Sequence, residues 1–189
     1  MDSFNFFFSF YGLLLGFSVA AVVRGLAGIL STRRELTITA LPALLGIFLL
    51  QDMATLWVFA WDTRAHLKVN YLSIYGAMVV ATLYYVAAIL AFPIKISRVQ
   101  TLEKSYWHNK RLIWSAIIGG SFLATAHAAS VGVFAEAQPV MFWVLQVIYW
   151  TPLVALLFTN SRKVDTALLG ALVLGYLAEP LLEIVDLIS

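Results

Sequence analysis

Asp52, His127, Glu179 and Glu183 are ionisable residues set inside otherwise apolar sequence. If those stretches cross a bilayer, an aspartate near a helix centre costs at least about 2.5–3.5 kcal/mol. Side chains kept at such a cost are the first candidates for chemistry. Carboxylates can concentrate a cation or carry a proton, and an imidazole beside them can tune their charge. Gln51 and Gln146 offer neutral ligands to the same site.

Composition sets the solvent these residues must tolerate. The chain has 189 residues, 62% of them hydrophobic and only 12% charged, with a mean hydropathy of +0.90. Most charges fall between apolar runs of about 20 residues, the length that spans a hydrocarbon core. No polar stretch is long enough to bury a soluble core of its own, so residues 1–189 read as a single transmembrane domain. The expected fold class is all-α: a polytopic integral membrane protein with six transmembrane helices. They cover roughly 5–30, 36–61, 69–93, 112–134, 139–160 and 166–188. Trp57, Trp61, Tyr71, Trp107 and Trp114 sit near the ends of these runs, as interfacial rings do, and Pro93 and Pro139 punctuate them. Asp2 stands where a secretory signal would carry basic residues, so the first run reads as a retained helix.

Loop charge orients the helices. Arg33, Arg34, Lys95, Arg98, Lys104, Lys110, Arg111, Arg162 and Lys163 fall in loops on one side, against Arg64 and Lys68 on the other. Lys and Arg collect on the cytoplasmic side. Both termini are therefore expected outside, in a bacterial-type inner membrane. The net charge of +2 comes from these loops and gives no argument for nucleic acid. Residues 94–111 form the one sizeable extramembrane piece. Five basic residues alternate there with Ile94, Ile96, Val99, Leu102, Tyr106 and Trp107, the pattern of a basic amphipathic cytoplasmic loop lying in the headgroups or docking a partner.

Two halves of three spans each raise the possibility of a 3+3 inverted repeat. Gly16, Ser18, Ala21 and Arg24 match Gly119, Ser121, Ala124 and His127 in spacing, and Gly76-Ala77 matches Gly170-Ala171. Apolar sequences also match by chance, so both readings stay open.

Small residues four apart share a helix face and let backbones approach closely. Gly12, Gly16 and Ala20 form such a stripe on the first span. Ala167, Ala171 and Gly175 form another on the sixth, and it runs on through Glu179 and Glu183. These stripes suit tight packing within the bundle, or a seam in a homo-oligomer. At about 1.5 Å of rise per residue, Asp52, His127, Gln146 and Glu179 fall at a similar depth in the outer half of the membrane, with Glu183 about one turn farther out. Asp52 also has a bland explanation, a hydrogen bond with Thr55 one turn on. Pro180 beside Glu179 disturbs the helix hydrogen bonding, as broken helices at ion sites do.

Several chemistries are excluded. With no cysteine there is no disulfide, thiolate metal site or thiol nucleophile. The sequence carries no H-E-x-x-H, no G-x-S-x-G and no nucleotide-binding glycine pattern, so no enzyme and no cofactor are expected. A metal held by Asp52, His127, Glu179 and Glu183 is chemically admissible. The expected function is a small channel or an ion- or proton-coupled carrier in the bilayer, moving a small cation or proton past these residues. The alternative is a non-transporting scaffold or sensor acting through the basic loop.

Overall fold

The computed structural model describes residues 3–31, 40–93, 99–134 and 139–188, without the side chains of 99–101, 139, 141–142 and 178–188. Arg33, Arg34, Lys95 and Arg98 lie outside the described residues, as do the side chains of Glu179 and Glu183. The described chain is all helical. Its six α-helices are α1 (Ser3–Ser31), α2 (Ala40–Asp62), α3 (Tyr71–Ala91), α4 (Val99–Ser130), α5 (Pro139–Phe158) and α6 (Arg162–Ile188). Four stretches are long and apolar enough to cross a membrane: Ser3–Ser31, Ala40–Ala65, Tyr71–Ala91 and Leu102–Ser130. Trp143–Phe158 adds a shorter apolar helix.

Local chemistry sets the ends. Asn70 opens α3 with a reciprocal cap: its side chain accepts from the Ser73 amide at 2.9 Å, and Ser73 Oγ accepts from the Asn70 amide at 2.9 Å. Pro93 follows the last turn of α3, where it cannot continue the helix. Thr63 turns α2 into a short 3₁₀ turn by donating to the Phe59 carbonyl at 2.7 Å. Arg64 then lies 4.7 Å over the Trp61 ring, a pairing suited to a headgroup boundary.

The helices close a ring in the order α1, α3, α4, α5, α6, α2, and back to α1. Because α2 also touches α3 and α4, it lies innermost. Its inward face buries Leu45, Phe48, Leu49, Asp52 and Met53. Outward faces stay apolar, with Leu13, Phe17, Val147, Ile148 and Leu174 exposed. Hydrocarbon outside and polar atoms inside suit a bilayer better than water.

The close helix contacts do not follow the small-residue stripes. Of Gly12, Gly16 and Gly175, only Gly12 meets a neighbour, the Trp57 ring. Gly16, Ala20, Ala167, Ala171 and Gly175 are exposed. The tight approaches are at Gly25, filled by Phe92, at Gly46, beneath Leu26 and Phe92, and at Gly120, where a Cβ would stand 2.8 Å from the Tyr84 ring. Gly25 and Gly46 thereby let Phe92 plug one end of the α1–α2–α3 packing. Gly120 brings α4 close enough to α3 for Ser121 to reach the Tyr84 hydroxyl.

The segment expected as a basic loop is helical over its described part. Residues 99–111 make the first turns of a continuous α4. Leu102, Tyr106 and Lys110, spaced by four, share a buried face. Lys104, His108 and Arg111 are exposed.

Candidate functional site

Asp52 projects from the innermost helix and is 3% exposed. Three tyrosines from three other helices converge on it. Tyr84 of α3 donates to Oδ2 at 2.5 Å, Tyr149 of α5 to Oδ1 at 3.1 Å, and Tyr176 of α6 to Oδ1 at 2.6 Å. Ser121 of α4 stands behind two of them, 2.9 Å from the Tyr84 hydroxyl and 2.8 Å from that of Tyr149. Side chains of five helices thus meet in one hydrogen-bonded cluster, and α1 supplies Tyr11 within electrostatic reach of Asp52. Among the described residues no Lys, Arg or His pairs with this carboxylate. The phenols bring O–H dipoles to the carboxyl group while their rings keep its surroundings apolar.

The other residues singled out in the sequence are distributed around this cluster. Thr55 takes no part, because its hydroxyl donates to the Gln51 carbonyl at 3.1 Å. Gln51 turns toward α6, where its Nε2 donates to the Val173 carbonyl at 3.4 Å, and its Oε1 is buried without a partner among the described residues. Gln146 accepts from the Trp150 indole at 2.8 Å, within α5. Glu179 follows Tyr176 by three residues and Glu183 by seven on α6, which continues as one helix past Pro180.

His127 is not among the partners of Asp52. It lies six residues beyond Ser121 on α4, about 9 Å along the axis. It lines a separate cavity of about 350 Å³ between α1, α2, α3 and α4, with Tyr11, Phe59, Thr63, Gly76 and Ala124. Its Nε2 is buried and lacks a partner among the described residues. Similar depth along the sequence therefore does not bring the imidazole into hydrogen-bonding contact with the carboxylate.

A second polar cluster was not expected. Lys110, counted in the sequence as a loop cation, is 4% exposed and pairs with Asp165, 0% exposed, at 2.6 Å. Tyr106 donates to the same Asp165 oxygen at 2.8 Å, and Trp114 donates to Tyr106 at 3.2 Å. Lys110 also donates to the Thr159 hydroxyl at 3.0 Å and to its carbonyl, while that hydroxyl donates to Asp165. Asp165 sits in the first turn of α6, where the helix dipole favours an anion. The cluster clips the start of α4 to the turn between α5 and α6.

No protein-family model matches this chain, and no curated protein or solved structure does.

Proposed function

We propose that the chain is a small ion-coupled membrane carrier whose ion-binding group is Asp52. One observation carries this reading: the innermost helix holds a carboxyl group with no counter-cation among the described residues, and four neighbouring helices contribute its ring of hydroxyls. A group touched by that many helices senses their relative positions, so loading or unloading it can bias how they pack. A carrier fits better than an open channel, since Asp52 is 3% exposed and lines neither of the two cavities described. The test is reconstitution into vesicles under proton, Na⁺ and K⁺ gradients in turn. The expected result is dissipation of one gradient above protein-free vesicles, lost in Asp52→Asn. If all three persist as in protein-free vesicles, the carrier reading fails.

The finer topology belongs to the same proposal: six spans in a bacterial-type inner membrane, both termini outside, and self-association through the outward stripes of Gly16, Ala20, Ala167 and Ala171. The native chain has no cysteine, so single cysteines report cleanly. In intact cells Arg64→Cys is expected to react with a membrane-impermeant maleimide and Lys163→Cys to be protected, while Gly16→Cys cross-links to a second copy. The reverse labelling pattern overturns the orientation, and failure to cross-link overturns the seam.

A non-transporting scaffold or sensor draws its support from the same enclosure of Asp52, since a buried and hydrogen-bonded acid can be purely architectural. That reading predicts no ion movement and a partner lost on neutralising Lys104 and Arg111. Lys110 is not available to such a partner, because it is committed to Asp165.

A further inference from the structure

The hydrogen atoms around Asp52 can be counted against the contacts they must fill. Five oxygen–oxygen hydrogen bonds of 2.5–3.1 Å hold the cluster among the described residues: Tyr84, Tyr149 and Tyr176 each on the carboxyl group, and Ser121 on both Tyr84 and Tyr149. Every such contact needs one hydrogen between its oxygens. The three phenols and the serine supply four, and an ionised carboxylate supplies none. With Asp52 ionised, the phenols all donate to it, and Ser121 can donate to Tyr84 or Tyr149 but not to both. One contact of 2.8–2.9 Å is then left with lone pairs facing each other.

A fifth hydrogen closes the ring. Placed on Asp52 Oδ2, it is donated to the Tyr84 oxygen. The Tyr84 hydrogen turns to Ser121, that of Ser121 lies on Tyr149, and Tyr149 and Tyr176 still donate to Oδ1. All five contacts are filled. The mirror arrangement, with the proton on Oδ1 donating to Tyr149 and the chain running back through Ser121 to Tyr84, fills them equally well. The two forms interconvert by hydrogen shifts and hydroxyl rotation alone. A proton gained on the α3 side can therefore leave on the α5 side.

We infer that the ion held at Asp52 is a proton, shared around a closed circuit of Asp52, Tyr84, Ser121 and Tyr149. This deepens the carrier reading and rests on it for the proton being transported, though not for its being bound. A metal cation suits the cluster poorly. The oxygens already stand 2.5–3.1 Å from one another, at hydrogen-bonding distance, whereas a coordinated cation needs lone pairs turned inward. Among the described residues, the polar groups facing Asp52 are Tyr84 from α3, Ser121 from α4, Tyr149 from α5 and Tyr176 from α6, with Tyr11 of α1 acting through space. None of them is a cation that would hold the carboxylate ionised.

Ser121 is a positioning residue whose removal reverses the count. In Ser121→Ala, three contacts remain and three phenol hydrogens fill them, so an ionised carboxylate is fully satisfied. The experiment is infrared difference spectroscopy of the purified protein across a pH titration, with sodium chloride added at fixed pH as a second arm. A protonated-carboxyl carbonyl band is expected in the wild type and absent in Asp52→Asn. In Ser121→Ala the band is expected to persist only at lower pH, corresponding to about tenfold weaker proton binding for the hydrogen bonds no longer completed. Tyr84→Phe also opens the circuit and serves as the second variant should the first fold poorly. Sodium is expected to leave the band unchanged. A spectrum with no Asp52-dependent carboxyl band, or one erased by sodium, overturns the inference. Asp52-dependent sodium flux without the band would sink the proton and spare the carrier. The band without any flux would do the opposite.

Discussion

Asp52→Asn is expected to fold at a cost of about 1–3 kcal/mol for one unpaired amide N–H and to carry nothing. Asparagine reproduces the proton-loaded circuit: its Nδ2 donates to Tyr84 where the added proton would, Ser121 relays to Tyr149, and Oδ1 accepts from Tyr149 and Tyr176. The five contacts are met, but the second amide N–H is left without an acceptor in the cluster, and no hydrogen can be released. Asp52→Leu differs. Tyr84 can still donate to Ser121 and Ser121 to Tyr149, which leaves the hydrogens of Tyr149 and Tyr176 without acceptors. Buried unsatisfied donors cost about 1–3 kcal/mol each, so a loss of about 2–6 kcal/mol is expected for the two. Thermal unfolding in detergent, followed by circular dichroism, separates the two. An asparagine variant as unstable as the leucine one would mean that the cluster needs the negative charge itself.

The Lys110–Asp165 pair is expected to give the largest stability effect outside that site. Removing one member of a buried pair strands the other and typically costs about 3–5 kcal/mol. Lys110→Met therefore leaves Asp165 held only by Tyr106 and Thr159. Replacing both, as Lys110→Met with Asp165→Leu, is expected to recover most of that loss, because the stranded charge is gone. The Arg162–Glu103 pair is the internal control. It is longer, at 3.2 Å, and Arg162 is 57% exposed, so Glu103→Gln should cost under about 1 kcal/mol. Detergent unfolding of the two single variants, the double variant and the control measures the coupling. Single variants no worse than Glu103→Gln would remove the clip between α4 and the α5–α6 turn.

The helices could be read from the sequence because apolar length and charged breaks are local signals. The described helices lie within a few residues of the expected spans except at α4, which begins well before its apolar stretch. Helix propensity and the buried Leu102–Tyr106–Lys110 face extend it into what reads as a basic loop. Asp52 was legible for a related reason, since a lone acid in an apolar run stands out. Its partners were not, because tyrosine is common in membrane helices and attracts notice only at their ends. The available signal was position: Tyr84, Tyr149 and Tyr176 lie well inside their apolar runs, away from the ends where interfacial rings are expected, and a buried phenol needs a partner. His127 shows what depth alone leaves out. Depth counted along separate helices ignores which way each face turns, and α4 turns Ser121 toward the acid and His127 toward a cavity. Lys110 misled in the same way, because a loop-like sequence hid a helix with a buried side.

The most direct test of the account is proton entry into vesicles under an inside-negative potential, read by a trapped pH dye, for wild type and Asp52→Asn reconstituted to equal density. Acidification by the wild type and none by the variant is the predicted result. An Asp52→Asn protein that acidifies the lumen as fast as the wild type would contradict it.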